Sequence, residues 1–238
     1  MTKEEETILS TKNVKHLFLD CKKKYSDEFY ERYVENFKHP KKRKLVYRIV
    51  KRSFDIVVSF ISLVLLLIPF FIIGIIIKID SKGPVFFKSR RVGMNRKVFY
   101  CLKFRSMSIN APAEMATSVF EDAHSYVTRV GRLLRKTSID ELPQLFNVFA
   151  GQMSIIGYRP LVPTEENCNE MREKLGVFRM RPGISGFAQV HGRDDVYYKN
   201  KAIMDAHYVS NACIGMDISL VFKSVLVVLS KKGNEDDC

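Results

Sequence analysis

The longest coherent pattern in the chain is an apolar run from Phe54 to Ile79, broken only by Asp55, Ser59, Ser62, Pro69, Gly74 and Lys78. A straight helix over it would reach about 40 Å at 1.5 Å per residue, enough to cross a hydrocarbon core of roughly 30 Å. Pro69 lies near its middle, where it removes a backbone hydrogen bond and bends a helix. Both flanks are basic: Lys41 to Arg52 before, then Lys78, Lys82, Lys88, Arg90 and Arg91 after. The positive-inside bias draws such flanks to the cytoplasmic face, and here it acts on both ends. Two readings follow, a spanning helix and a re-entrant hairpin bent at Pro69 that enters and leaves on one face. The hairpin satisfies both observations.

The other periodicities are shorter. Residues 1–45 form a polar extension in which Tyr25, Phe29, Tyr33 and Phe37 recur at helical spacing and predict a short amphipathic helix. No apolar signal-peptide core occurs in the first twenty residues, so the mature chain is expected to keep them. Lys41-Lys42-Arg43-Lys44 reads either as a solvated linker or as a polybasic anchor to anionic lipids. Segment 46–80 is then the basic flank with its membrane helix, and 81–232 a cytosolic domain. Within that domain Val85-Phe86-Phe87 and Val98 to Leu102 predict strands about a turn at Gly93-Met94-Asn95, and Ser108 to Tyr126 a loop. Val130, Leu133 and Leu134 share one face of a predicted helix over Thr128–Lys136, with Arg129, Arg132 and Lys136 on another. Asp217 to Lys232 sets Ile218, Val221, Phe222, Val225 and Leu229 on one stripe, either a packed helix or one lying in a membrane interface. The tail 233–238 is expected to be disordered.

The basic helix ends at Thr137-Ser138-Ile139-Asp140-Glu141-Leu142-Pro143-Gln144-Leu145. Ser138 with Glu141 spells a capping box, and Asp140 also suits an N-cap ahead of Pro143. Acidic residues there usually do no more than cap. Yet a helix N-terminus beside several guanidinium groups also binds phosphate, and a carboxylate facing that phosphate can attack it. Both readings stand on these residues alone.

Composition narrows the classes. The chain has 238 residues, 46% of them hydrophobic, with little glycine or proline, which excludes disordered and collagen-like proteins. A formal net charge of +13 implies an anionic partner, whether nucleic acid, lipid surface or phosphorylated substrate. No nucleic-acid-binding motif accompanies it, and the apolar run opposes that choice. Five scattered cysteines without a CxxC read as reduced thiols rather than as a zinc site or a disulfide framework.

Many short motifs in fixed order now carry a resemblance: Lys51-Arg52 with Phe54-Asp55, Gly83 to Phe87, Lys103-Phe104-Arg105-Ser106-Met107, Gly131-Arg132, Leu134 to Ser138, Asp140 to Leu145, Gly151-Gln152-Met153-Ser154, Arg181 to Gly186, Ala188-Gln189-Val190 and Gly192-Arg193. From about Lys51 to Lys232 the chain resembles the monotopic phosphoglycosyl transferases among the bacterial sugar transferases, which begin polysaccharide and glycan assembly. The resemblance implies a helix-rich α/β domain with a small antiparallel sheet and interfacial helices, held on the cytoplasmic face of the bacterial inner membrane by a re-entrant helix. It implies transfer of sugar 1-phosphate from a UDP-sugar to undecaprenyl phosphate with Mg²⁺, with UMP as the second product and a homo-oligomer left open. By the same matching Asp140 is the nucleophile and metal ligand, and Glu141 assists proton transfer. Lys103, Arg135, Arg159, Pro160 and Arg193 form the substrate-binding set. The rival is a membrane scaffold that keeps the fold without the activity. Tyr158 stands where proline is usual, Ile68 where a small polar residue is, Phe187 for tryptophan, His191 for asparagine, and His124-Ser125-Tyr126 for an Asp-x-Arg.

Overall fold

The structure, a computed structural model, describes residues 1–11, 22–38, 43–111, 123–192 and 196–229. Arg193 and the expected disordered tail 233–238 lie outside the described residues.

The apolar run folds as two helices, α3 (Leu45–Leu65) and α4 (Leu67–Asp80), whose axes differ by 60°. They break at Leu66, one turn ahead of Pro69. The pyrrolidine ring of Pro69 crowds the carbonyl four residues back, at Leu65, so the ladder fails there and Pro69 itself sits comfortably in the first turn of α4. No described helix alone is long and apolar enough to cross a membrane, whereas the bent pair together is. Around the bend Leu65, Leu67, Ile68 and Phe71 remain at least 70% exposed.

The polar residues of α3 face the rest of the protein. Asp55, buried, accepts hydrogen bonds from Ser154 Oγ at 3.0 Å and the Ile155 amide at 2.9 Å. Arg52 donates to the carbonyls of Val148 and Phe149 at 2.7 and 2.8 Å. Lys51 Nζ lies 3.0 Å from Asp217, which also accepts from Tyr47 and Tyr208. Arg43 bonds the Val209 carbonyl. For these residues the flank is therefore neither a solvated linker nor a free polybasic anchor. Their charges end on protein acceptors and fix the helix to the domain.

A hairpin of β1 (Phe86–Val92) and β2 (Val98–Phe104) follows, antiparallel as expected, with Phe87 opposite Lys103, Ser89 opposite Cys101 and Arg91 opposite Phe99. Side chains alternate across a strand, so Phe87, Ser89, Arg91, Cys101 and Lys103 share one face. Arg105 beyond β2 closes the end of α4, donating to the carbonyls of Ser81 and Lys82 at 2.6 and 2.8 Å. Helix α5 (Arg129–Lys136) is capped by Thr128, whose Oγ1 accepts from the Gly131 amide at 3.0 Å. After it come α6 (Gln144–Phe149), β3 (Ser154–Ile156), α7 (Glu166–Lys174), β4 (Gly183–Ser185), α8 (Phe187–Gly192), α9 (Tyr198–Asn211) and α10 (Ile214–Leu229). Strands β3 and β4 pair in parallel, an arrangement the sequence did not predict.

The main core is built on α9, whose Ala202, Ile203, Met204, Ala206 and Tyr208 are fully buried. The N-terminal helices α1 (Lys3–Thr11) and α2 (Asp27–Asn36) join it through Ile8, Tyr25, Phe29 and Tyr30, with the Tyr30 hydroxyl donating to Asn200 at 2.8 Å. On α10, Leu220 packs inward, while Ile218, Phe222 and Val225 of the predicted stripe are exposed.

Candidate active site

Between α5 and α6 the chain makes a single 3₁₀ turn, Ile139–Glu141, entered through Ser138 at φ 56°. The expected capping box does not form: the Ser138 side chain makes no capping bond, and α6 starts three residues after Glu141 with Pro143 as its uncapped N-cap. The left-handed Ser138 turns the chain sharply out of α5, which sets the two carboxylates side by side ahead of α6 rather than inside its first turn. With about 120° between successive residues of such a turn, they point in different directions.

Glu141 receives Lys103 Nζ at 2.6 Å and Arg159 Nη2 at 3.2 Å on its Oε1. Burial alone would raise its pKa. The Arg159 and Lys103 charges outweigh burial and hold the carboxyl far below the usual carboxylate range. Asp140 is also buried, but no hydrogen-bond donor reaches its carboxylate among the described residues. Burial pushes its pKa above the ordinary value, against the opposing charge of Lys103 and with the neighbouring Glu141 adding to the rise. Two adjacent carboxylates thus have opposite environments, the pattern by which active sites divide roles.

A small open cleft of about 220 Å³ lies on the Glu141 side, lined by Arg91, Cys101, Lys103, Glu141, Gln144, Arg159 and Pro160. Four predicted residues, Lys103, Glu141, Arg159 and Pro160, therefore come together. Arg135 does not line the cleft: its Nε donates to Ser106 Oγ at 2.9 Å, although its charge still acts on Asp140. Asp140 lies beside the cleft and not in its lining. Pro69 sits in the first turn of α4 and does not line the cleft, and Arg193 falls outside the described residues.

The segment that follows β3 presents Arg159. Gly157 makes this approach feasible, since a Cβ there would stand 2.5 Å from the Arg181 carbonyl oxygen and the Gly183 amide of the neighbouring strand. Tyr158 turns the other way, fully buried with its ring edge-on to Phe178 and the Arg172 guanidinium 5.4 Å from its centroid. Its ring occupies the core and leaves the cleft clear. Arg172, itself paired with buried Asp205, donates to the Arg159 carbonyl at 2.9 Å and so steadies the segment from behind. Arg91, Cys101 and Gln144 escaped the sequence reading. The two-residue spacing of Cys101 and Lys103 was a usable signal, but Arg91 joins them only through the hairpin register.

Among the described residues no three carboxylate, histidine or cysteine side chains gather as a metal cage. A hard divalent cation needs no such cage when one or two carboxylates, substrate phosphates and water complete its shell, and the buried, donor-free Asp140 carboxylate suits that arrangement.

A cationic cleft thus lies beside one clamped and one donor-free carboxylate in a domain fixed to an exposed apolar helix pair. The bacterial sugar transferase family matches residues 46–231, and the chain belongs to that family and is a transferase. It is 36% identical over 200 residues to the exopolysaccharide production protein ExoY of Sinorhizobium fredii, covering 78% of this chain and 88% of that one. It is 37% identical over 202 residues to the undecaprenyl-phosphate galactose phosphotransferase of Salmonella typhimurium, covering 78% of this chain and 42% of the relative. A third relative, the UDP-N-acetylgalactosamine-undecaprenyl-phosphate N-acetylgalactosaminephosphotransferase of Aeromonas hydrophila, is 38% identical over 195 residues, 79% of this chain and 45% of that one.

Proposed function

We propose that this protein transfers sugar 1-phosphate from a UDP-sugar to undecaprenyl phosphate on the cytoplasmic face of the bacterial inner membrane, releasing UMP and starting a surface polysaccharide or other glycan. The observation that carries the reading is the pair of contrasted carboxylates, with Glu141 clamped by Lys103 and Arg159 and Asp140 buried without a donor. Asp140 attacks the phosphorus that bears the sugar, and the bond to the UMP oxygen breaks, so that UMP leaves with the electron pair. The aspartyl phosphosugar then meets the lipid phosphate, whose oxygen displaces the carboxylate and restores it. A Mg²⁺ held by Asp140, substrate phosphates and water would neutralise charge at the diphosphate. Glu141 accepts the proton of the incoming lipid phosphate. When the diphosphate shares Lys103 and Arg159, the charges that depress Glu141 are partly withdrawn and its basicity rises toward the task.

The bent pair suits delivery of a lipid substrate. Placed symmetrically about the membrane normal, arms of 21 and 14 residues bent by 60° from a straight line rise by about half their lengths, roughly 10–16 Å, which is one leaflet of a ~30 Å core. In this reading α3 and α4 re-enter, the exposed Ile218, Phe222 and Val225 rest in the interface, and the basic surface faces anionic lipids.

The test is incubation with UDP-sugars and no lipid acceptor, followed by mass spectrometry. A phosphosugar adduct on Asp140 with about one equivalent of UMP is expected, and Asp140→Asn abolishes both. If UMP appears only when the lipid is present and no adduct forms, transfer is direct and the covalent path is wrong.

A further inference from the structure

Arg91 is the cleft cation that the preceding reaction leaves without a part. It stands on the same face of the hairpin as Cys101 and Lys103, near the end of β1. Its Nε donates to Ser89 Oγ at 3.0 Å and its Nη1 to the Pro160 carbonyl at 3.4 Å, so neutral acceptors hold the guanidinium at two points. It makes no ion pair with any described residue, and its Nη2 has no partner among them. The one carboxylate lining the cleft, Glu141, is already engaged by Lys103 and Arg159.

The cleft lining therefore counts three cations, Arg91, Lys103 and Arg159, against one carboxylate. Even with Asp140 beside the cleft counted, positive charge remains in excess, and excess charge in a partly buried site is costly unless a ligand completes it. A diphosphate diester, as found in a nucleoside diphosphate sugar, carries two negative charges. Burial and the adjacent Arg159 push the Arg91 pKa down, against the opposing pull of Cys101, Glu165 and Glu141.

We propose that Arg91 is a substrate-binding residue, a third cation that grips the donor's diphosphate through its unengaged Nη2 edge, beside Arg159. The inference rests on the donor reading above and adds to it a specific contact made by a residue on the hairpin. Ser89 and the Pro160 carbonyl preset the guanidinium, which reduces the ordering needed on binding and makes the planar fork, not merely the charge, the recognition element.

Calorimetric binding of UDP, UMP and uridine to the full chain in detergent tests this. Arg91→Gln should weaken UDP at least about tenfold, the usual scale for a lost charge-assisted pair. Uridine, which has no phosphate, should bind the variant and the wild type alike, and Arg91→Lys should recover only part of the UDP affinity. In turnover, Arg91→Gln should raise KM for the UDP-sugar more than it lowers kcat. A thermal midpoint near that of the wild type shows the variant folded; if Gln fails that check, the charge-keeping Lys variant decides alone. Unchanged UDP affinity in the folded variant overturns the role of Arg91 while leaving the transferase reading intact. A wild-type protein that binds no UDP and turns over no UDP-sugar overturns both.

Discussion

Asp140 and Glu141 are chemically near-equivalent neighbours that the protein makes different. Lys103 and Arg159 keep Glu141 ionised well below the ordinary range, so it stays charged throughout the working pH. Asp140, pushed upward by burial, is the one that titrates toward neutrality. A nucleophilic carboxylate must be ionised, and a raised pKa means that the active form is lost as pH falls through that value. The acid limb of kcat/KM should therefore lie above about 3.9, where a free aspartate titrates, and belong to Asp140. Glu141→Gln should lower the rate severely and leave the limb in place. A limb that vanishes or moves with Glu141→Gln would assign it to the wrong carboxylate.

At the scale of elements, the seam between α5 and the strand end holds the site together. A Cβ on Gly131 would stand 1.9 Å from the Ser106 carbonyl oxygen and 2.6 Å from its carbon. Helix α5 thus lies directly on the backbone at Ser106, and Arg135, one turn on, bonds the Ser106 hydroxyl. Two effects compete in Gly131→Ala. Helix propensity favours alanine by about 1 kcal/mol, whereas forcing apart packed backbone costs about 1–3 kcal/mol. Backbone cannot rotate aside as a side chain can, so the clash should win. The variant should unfold several degrees lower by calorimetry, and Arg135 should lose its register with Asp140, reducing activity. Equal or greater stability in the alanine variant would contradict that packing.

The whole molecule combines an outward apolar helix pair with an inward polar seam. Arg43, Lys51, Arg52 and Asp55 anchor α3 to α9, α10, α6 and β3 in turn, while Arg105 ties the far end of α4 to the hairpin. Both ends of the bent pair are thus bound to one domain, which favours the re-entrant reading proposed above over a spanning one. Lys44→Cys and Lys88→Cys, with native cysteines removed, should both resist an impermeant thiol reagent in sealed cells and react after lysis. Labelling of either from outside would establish a spanning helix. The described N-terminal helices belong to the same unit: Tyr25, Phe29 and Tyr30 enter the core around α9, although the family match begins only at residue 46.

Local rules made several features legible in the chain itself. Proline at 69 dictates a break, alternation and a turn at Gly93 dictate the hairpin, and apolar spacing with Thr128 dictates α5 and its cap, because each depends on bonds within a few residues. Asp140, Glu141 and their basic neighbours were visible as a motif for the same reason. The rest needed distant chain to converge. Ser138 adopted a left-handed turn instead of capping because the path from α5 to α6 demanded it, overriding a local preference. The polar breaks in α3 gained meaning only when β3, α6 and α10 supplied their partners. The cleft itself joins residues from position 91 to position 160, and no local interaction fixes how a hairpin register, a 3₁₀ turn and a buried Arg172–Asp205 pair bring those side chains to one place.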